Sequence, residues 1–334
     1  MQTERASRPA QLDLRVGDRV EVRSEAEILA TLDERGELDS LPFMPEMLPY
    51  CGKVLTVDKV AHKVCDTITR GGLRRMENAV HLTGVRCDGS AHGGCQNACL
   101  IYWKEDWLRR ADEPAPDAVD DPSPRITLPI LEAATRKEPG PDGEERFACQ
   151  ATELNRATPE PLPFTNLGQY VADVRTGNAS VFWVVRAFLV GLFNRLQGLS
   201  TRVLPRRLWF RGGKRWRFVA GRVVGRTPVV ELGLQPGDRI RIKSKDAILD
   251  TINADQLNRG LGFDEEMARF CGREARVERR VQQVIDEKTS RMVQMKTPCI
   301  VLEGLVCEGA YNVNCPRSWI CFWREVWLDR IDEK

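Results

Sequence analysis

Residues 14–108 return at residues 234–328, offset by 220 positions without a gap, and about a quarter of the paired positions are identical, the signature of an internal repeat. Leu14, Gly17, Asp18 and Arg19 pair with Leu234, Gly237, Asp238 and Arg239. Phe43, Glu46, Met47, Cys51 and Gly52 pair with Phe263, Glu266, Met267, Cys271 and Gly272, and Trp103, Glu105, Trp107 and Leu108 with Trp323, Glu325, Trp327 and Leu328. A chain that carries the same module twice must fold each copy around the same core. Shared residues are therefore read as scaffold, and residues present in one copy only as the place where a specific activity sits.

Cysteines sharpen this division. Cys51, Cys87 and Cys95 recur as Cys271, Cys307 and Cys315, whereas Cys65, Cys99 and the three histidines His62, His81 and His92 occur in the first copy alone. The second copy has Cys299 and Cys321 instead. Residues 1–15 are polar and charged, with neither an apolar leader nor a stop-transfer segment, which leads to the expectation of a cytoplasmic protein with reduced thiols. Thiols so placed read as metal ligands rather than disulfides.

The expected fold class is α+β and mainly β: two tandem-related small β-barrel modules of SH3-like kind flanking a helical middle segment. Residues 1–13 form a flexible N-terminus and 14–110 the first Cys/His-rich module. In it Gly17-Asp18 starts a strand, Ser24 and Glu27 have capping-box spacing, and residues 54–60, 79–85 and 100–103 read as strands. Pro42, Pro45 and Pro49 should interrupt any regular element between Leu41 and Cys51. Residues 111–125 are an acidic, proline-rich linker. Residues 126–200 read as mostly helical, with helices near 147–154 and 166–174 and a break at Gly177-Asn178. Residues 201–230 are a basic aromatic segment, and 231–334 the second Cys-rich module.

The densest chemistry is Cys87-Asp88-Gly89-Ser90-Ala91-His92-Gly93-Gly94-Cys95-Gln96-Asn97-Ala98-Cys99, four soft or borderline ligands on a glycine-rich loop. His62 and Cys65 form a second pair upstream. One division of these ligands takes Cys51, Cys87, Cys95 and Cys99 as a structural zinc site, with Cys271, Cys307, Cys315 and Cys321 as its twin. His62, Cys65 and His92 are then a mixed N/S trio, a second metal site with an open position. The bland alternative is that each cysteine is a small buried hydrophobe and each histidine a hydrogen-bonded surface residue. Catalytic candidates are His62, Cys65, His92 and Cys149, the last with Glu153 nearby in sequence. There is no P-loop, GxGxxG, G-x-S-x-G or H-E-x-x-H motif.

Residues 87–92 resemble the CDGSH iron-sulfur motif, whose Cys and His bind a [2Fe-2S] cluster, so iron or an iron-sulfur cluster is the alternative to Zn²⁺. Ala91 is an insertion relative to that motif, and no upstream C-x-C supplies the other two ligands. Residues 41–47 and 86–103 are also similar to an uncharacterised family of bacterial cysteine-rich proteins, a resemblance that covers the first copy, extends at most to the Cys149 segment and implies no activity.

From Val174 to Val230 there is no Asp or Glu, against twelve Lys and Arg, while the net charge of the whole chain is only +2. Arg206, Arg207, Arg211, Lys214, Arg215 and Arg217 interleave with Trp209, Phe210, Trp216 and Phe218, a composition that suits nucleic acid or anionic lipid. The same aromatics also suit the core of a strand pair turning at Gly212-Gly213. Residues 181–196, apolar apart from Arg186, Asn194 and Arg195, are too few to span a bilayer of about 30 Å. They read as a helix buried in a core or in a subunit interface, with a protein partner or a second copy, ahead of the alternative of binding at a membrane surface.

The function expected from sequence is thus a metal-stapled binding or scaffolding protein whose specific site lies in the first copy. The alternatives are a metal- or thiol-dependent enzyme or redox component, and a nucleic-acid-binding protein.

Overall fold

A computed structural model describes residues 12–112 and 127–331 of the chain. The expected linker lies outside the described residues from position 113 onward, as does the N-terminus up to residue 11. The fold is mixed α/β, with antiparallel sheets, and divides into two compact units: Met1–Ala179 with Ile285–Met292, and Ser180–Val284 with Val293–Lys334.

The first unit is built on a five-stranded sheet in the order Trp103–Lys104, Ala79–Leu82, Val54–Val60, Arg19–Val22, Leu108–Arg110. The two end strands are joined only by the 3-10 turn Glu105–Trp107. Four residue steps reach at most about 14 Å, whereas the end strands of a flat five-stranded sheet stand about 19 Å apart. The sheet must therefore be strongly curled. It is nevertheless open: among the described residues the two ends are not paired, and no closed barrel is found, which corrects the barrel expected from sequence.

Ser24 caps the helix Glu25–Thr31 through the capping box with Glu27, as its spacing required. The helix places Ile28 and Leu29 in the core with Phe43, Trp103 and Trp107. The prolines admit a 3-10 helix, Pro45–Tyr50, in place of the irregular segment expected there, because a proline at the first helical position gives up only a donor that has no partner anyway. A three-stranded sheet, Pro161–Leu162, Gly72–Arg75 and Lys63–Asp66, completes the unit's strands with two short hairpins.

The second unit repeats this register. Its sheet runs Ile320–Trp323, Met292–Val306, Glu274–Ile285, Arg239–Ile242, Leu328–Arg330. Val20 faces Leu55 and Arg110; Ile240 faces Ala275 and Arg330, each partner 220 positions on. The cores correspond in detail. Phe43 meets Trp103 edge-on at 6.4 Å, and Phe263 meets Trp323 at 6.4 Å. Trp107 Nε1 donates to Thr31 Oγ1 at 3.1 Å, and Trp327 Nε1 to Thr251 Oγ1 at 2.8 Å.

Between the modules the chain is less helical than its sequence suggested. Prolines at 139, 141, 159, 161 and 163 break it into Leu128–Ala134, Leu154–Ala157 and Gly168–Arg175, with a hairpin of Arg136–Lys137 and Arg146–Phe147. The division between the units falls inside this segment, at Ala179–Ser180. The apolar helix is longer than 181–196: it runs Val181–Val203 and stops at Leu204, the residue before Pro205, where α conformation is disfavoured.

The basic segment forms no strand pair. Arg211, Gly212 and Gly213 all have positive φ, and the segment folds as 3-10 turns, Arg206–Leu208 and Phe210–Gly213. Phe210 and Trp216 pack edge-on against Phe193 of the helix, at 5.8 and 5.3 Å, instead of across a ladder.

A candidate metal centre in the first module

The loop that follows the strand Ala79–Leu82 is closed at its base by Cys87 N–H donating to Cys99 C=O at 2.9 Å. Inside it the chain turns at Gly89, whose carbonyl accepts from His92 N–H at 3.1 Å and from Gly94 N–H at 2.9 Å. Only glycine serves here: φ is +76°, and a Cβ would lie 2.1 Å from the Cys95 carbonyl oxygen. The turn folds His92 back over Cys87, leaving Nε2 3.3 Å from Sγ. Glu46, carried by the Pro45–Tyr50 helix, completes the group: Oε1 lies 3.4 Å from Cys87 Sγ and 3.4 Å from His92 Nδ1. Among the described residues this is the set of His, Cys and acidic ligand atoms that lie within 4.8 Å of one another.

These groups are withdrawn from water. His92 is 1% and Glu46 8% exposed. Burial drives the His92 imidazole down to about 4 against the pull of Asp88. Burial also raises the Glu46 carboxyl above its ordinary range. The Cys87 thiol is raised by burial first, and further by Glu46, Cys99 and Cys149. No lysine or arginine among the described residues pairs with Glu46, and its Oε2 has no hydrogen-bond partner. The cluster is thus a set of anion-forming donors with no protein cation. Against this, the N–H two residues on donates to sulfur at Cys87, Cys95 and Cys149, from Gly89, Asn97 and Ala151, which favours thiolate.

The residues named from sequence are distributed as follows. The structure brings Cys87 and His92 together, and it draws in Cys99 and Cys149, both close enough to raise the Cys87 thiol. Cys95 is buried on the same loop, and its Sγ accepts from Ile285 N–H at 3.3 Å. Cys51 caps the Pro45–Tyr50 helix outside the trio, with its thiol pushed up to about 11 by burial. The expected trio of His62, Cys65 and His92 is not assembled. His62 Nε2 sits 3.2 Å from Asp173 Oδ1, and Cys65 lies on the strand Lys63–Asp66. His62 also lines a cleft of about 540 Å³ with Arg75, Glu77, Glu105 and Gln169.

The second module shows what this site becomes with a protein cation. Gly309 makes the same turn, with Asn312 in the place of His92 and Cys307 bonded to Trp319 as Cys87 is to Cys99. Glu266, the counterpart of Glu46, accepts from Arg269 Nη1 at 3.0 Å. Arg217 pairs with Asp264 and lies close enough to feel Cys307 and Glu266. Cys321 is raised by burial, then by Cys307, Asp264 and Glu266, and is lowered by Arg217. Cys271 is pushed up to about 11 by burial, and Cys315 is buried. Position 49 in the first module, where Arg269 stands in the second, is a proline and offers no charge.

Glu46 was not named as a ligand from sequence. The signal was there: an acid retained in both copies within the otherwise apolar run from Phe43 to Met47. Comparison of the chain with protein-family models, curated proteins and solved structures found no match.

Proposed function

We propose that the chain is a metal-stapled binding protein made of two related, curled modules of SH3-like kind, and that Glu46, Cys87 and His92 take a divalent cation of the zinc class. The observation that carries this reading is the buried O, S and N donor set without a protein cation, set beside the same position in the second module, where Arg269 and Arg217 supply one. Mixed thiolate, imidazole and carboxylate donors suit zinc. Three donors leave one position of a tetrahedral site, and Cys99 and Cys149, both near enough to raise the Cys87 thiol, are the thiols that could fill it. Burial of His92 and Glu46 favours a structural staple over a centre that substrate must reach.

The test is elemental analysis of untagged protein. One equivalent of zinc per chain is expected, lost in His92→Ala and Glu46→Gln and retained in Cys307→Ser. Protein without stoichiometric metal, in which Cys87 alkylates under native conditions at the rate of an exposed thiol, would sink the proposal.

A further inference from the structure

The Val181–Val203 helix turns its apolar side chains outward. Phe182, Val185, Leu189, Leu192, Leu196 and Leu199 recur at alternating steps of three and four, which sets them in one stripe. All are exposed, Phe182 at 70% and Leu196 at 57%, while Val184, Ala187 and Gln197 form the buried face. This overturns the expectation that the helix is buried in the chain's own core. A helix of 23 residues is about 34 Å long at 1.5 Å per residue, and an apolar stripe of that length marks an interaction surface.

Two occupants fit a stripe of this period: a second helix, or the headgroup plane of a bilayer. Charge decides between them. Arg195 and Arg202 flank the stripe, and no acid occurs from Val174 to Val230. Arg202, Arg206, Arg207, Arg211, Lys214 and Arg215 have no carboxylate partner among the described residues. Pairing two copies through this helix would bring two such blocks together with nothing to neutralise them. An anionic surface neutralises all of them at once. The apolar stripe also continues into the basic turns, where Leu208, Phe210 and Trp216 are exposed between the cations. Arg206 lies over the Trp209 ring at 5.8 Å and Arg211 over Trp216 at 4.9 Å, so cation and aromatic reach the same interface.

We propose that this helix and the basic turns after it form an in-plane anchor for bilayers that display anionic lipid. The helix lies on the membrane: no helix of the described residues is long and apolar enough to cross one. The experiment is flotation of the full chain with phosphatidylcholine vesicles, with and without phosphatidylserine. Binding about tenfold tighter to the phosphatidylserine vesicles, and weakened at physiological salt, is expected. Leu189→Glu with Leu196→Glu should abolish it. Arg206→Glu with Arg207→Glu should weaken it at least tenfold, both with unchanged circular dichroism. Three results would overturn the proposal: equal binding to both vesicle types, no vesicle binding by a dimer that Leu189→Glu with Leu196→Glu dissociates, or salt-sensitive binding to oligouridylate without vesicle binding.

Discussion

Glu46→Gln and Glu266→Gln are one substitution made at two positions 220 residues apart, and only the first is expected to have an effect that depends on metal. Glu266 is 3% exposed and accepts from Arg269 Nη1 at 3.0 Å and from Glu308 N–H at 2.9 Å. A glutamine keeps the second bond and loses the charge in the first. A charge-assisted hydrogen bond contributes about 1.5–3 kcal/mol; with the Arg269 side chain a quarter exposed, solvent screening places the loss at about 1–2 kcal/mol, with or without metal. Glu46 has no Arg or Lys to lose. In chelator, Glu46→Gln removes only the cost of burying a carboxylate, so stability is unchanged or slightly higher. With free zinc at one hundred times its dissociation constant, binding adds about 2.7 kcal/mol to the wild type, or about 5–10 °C in melting temperature for a unit of this size. The variant should lose most of that increment. Thermal melts of both variants in zinc and in chelator decide the matter. If Glu46→Gln lowers the melting temperature equally in both, Glu46 is a packing residue and the argument from the missing cation is wrong.

Gly89→Ala should both lower the melting temperature of the first unit and abolish zinc uptake, because the added Cβ meets the Cys95 carbonyl at 2.1 Å in a left-handed backbone; a variant that still binds one zinc would refute the role given to this turn. Ser24→Ala, which removes the hydroxyl half of the capping box and leaves the residue 24 N–H to Glu27 bond, is expected to cost about 1 kcal/mol in urea denaturation, and a change near zero would show that tertiary packing alone holds the helix Glu25–Thr31. Burial alone would raise the Glu153 carboxyl, but Lys137 and Arg156 outweigh it and hold the group below its ordinary value of 4.5. Its contribution is therefore complete above that value and is lost as pH falls through the lowered native value. Lys137→Met should flatten the acid limb of the stability–pH curve, measured by urea titration, and an unchanged limb would contradict this.

How much of this was written in the chain depended on whether neighbours in sequence were enough. The Ser24 cap, the strand Val54–Val60 and the helix near 166–174 are local or periodic patterns, and the backbone follows them. So is the Gly89 turn, whose glycine is forced by a close approach within its own loop. The barrel was legible only as strands: whether the ends of a curled sheet pair is decided by long-range geometry, and here they do not. The ligand set needed the fold most. Cys87 and His92 are five residues apart, but Glu46 arrives on a separate 3-10 helix and the candidate Cys149 from beyond the linker, while His62, which spacing coupled to Cys65 and His92, is held instead by Asp173. The apolar helix was likewise ambiguous, since hydrophobicity fixes that a face is buried by something and only packing shows which face the chain itself covers. Sequence thus determined the local elements, such as the capped helix Glu25–Thr31 and the strand Val54–Val60. Tertiary structure decided which of them meet, because a buried carboxylate without a cation is a property of its neighbours across the fold and not of its neighbours in the chain.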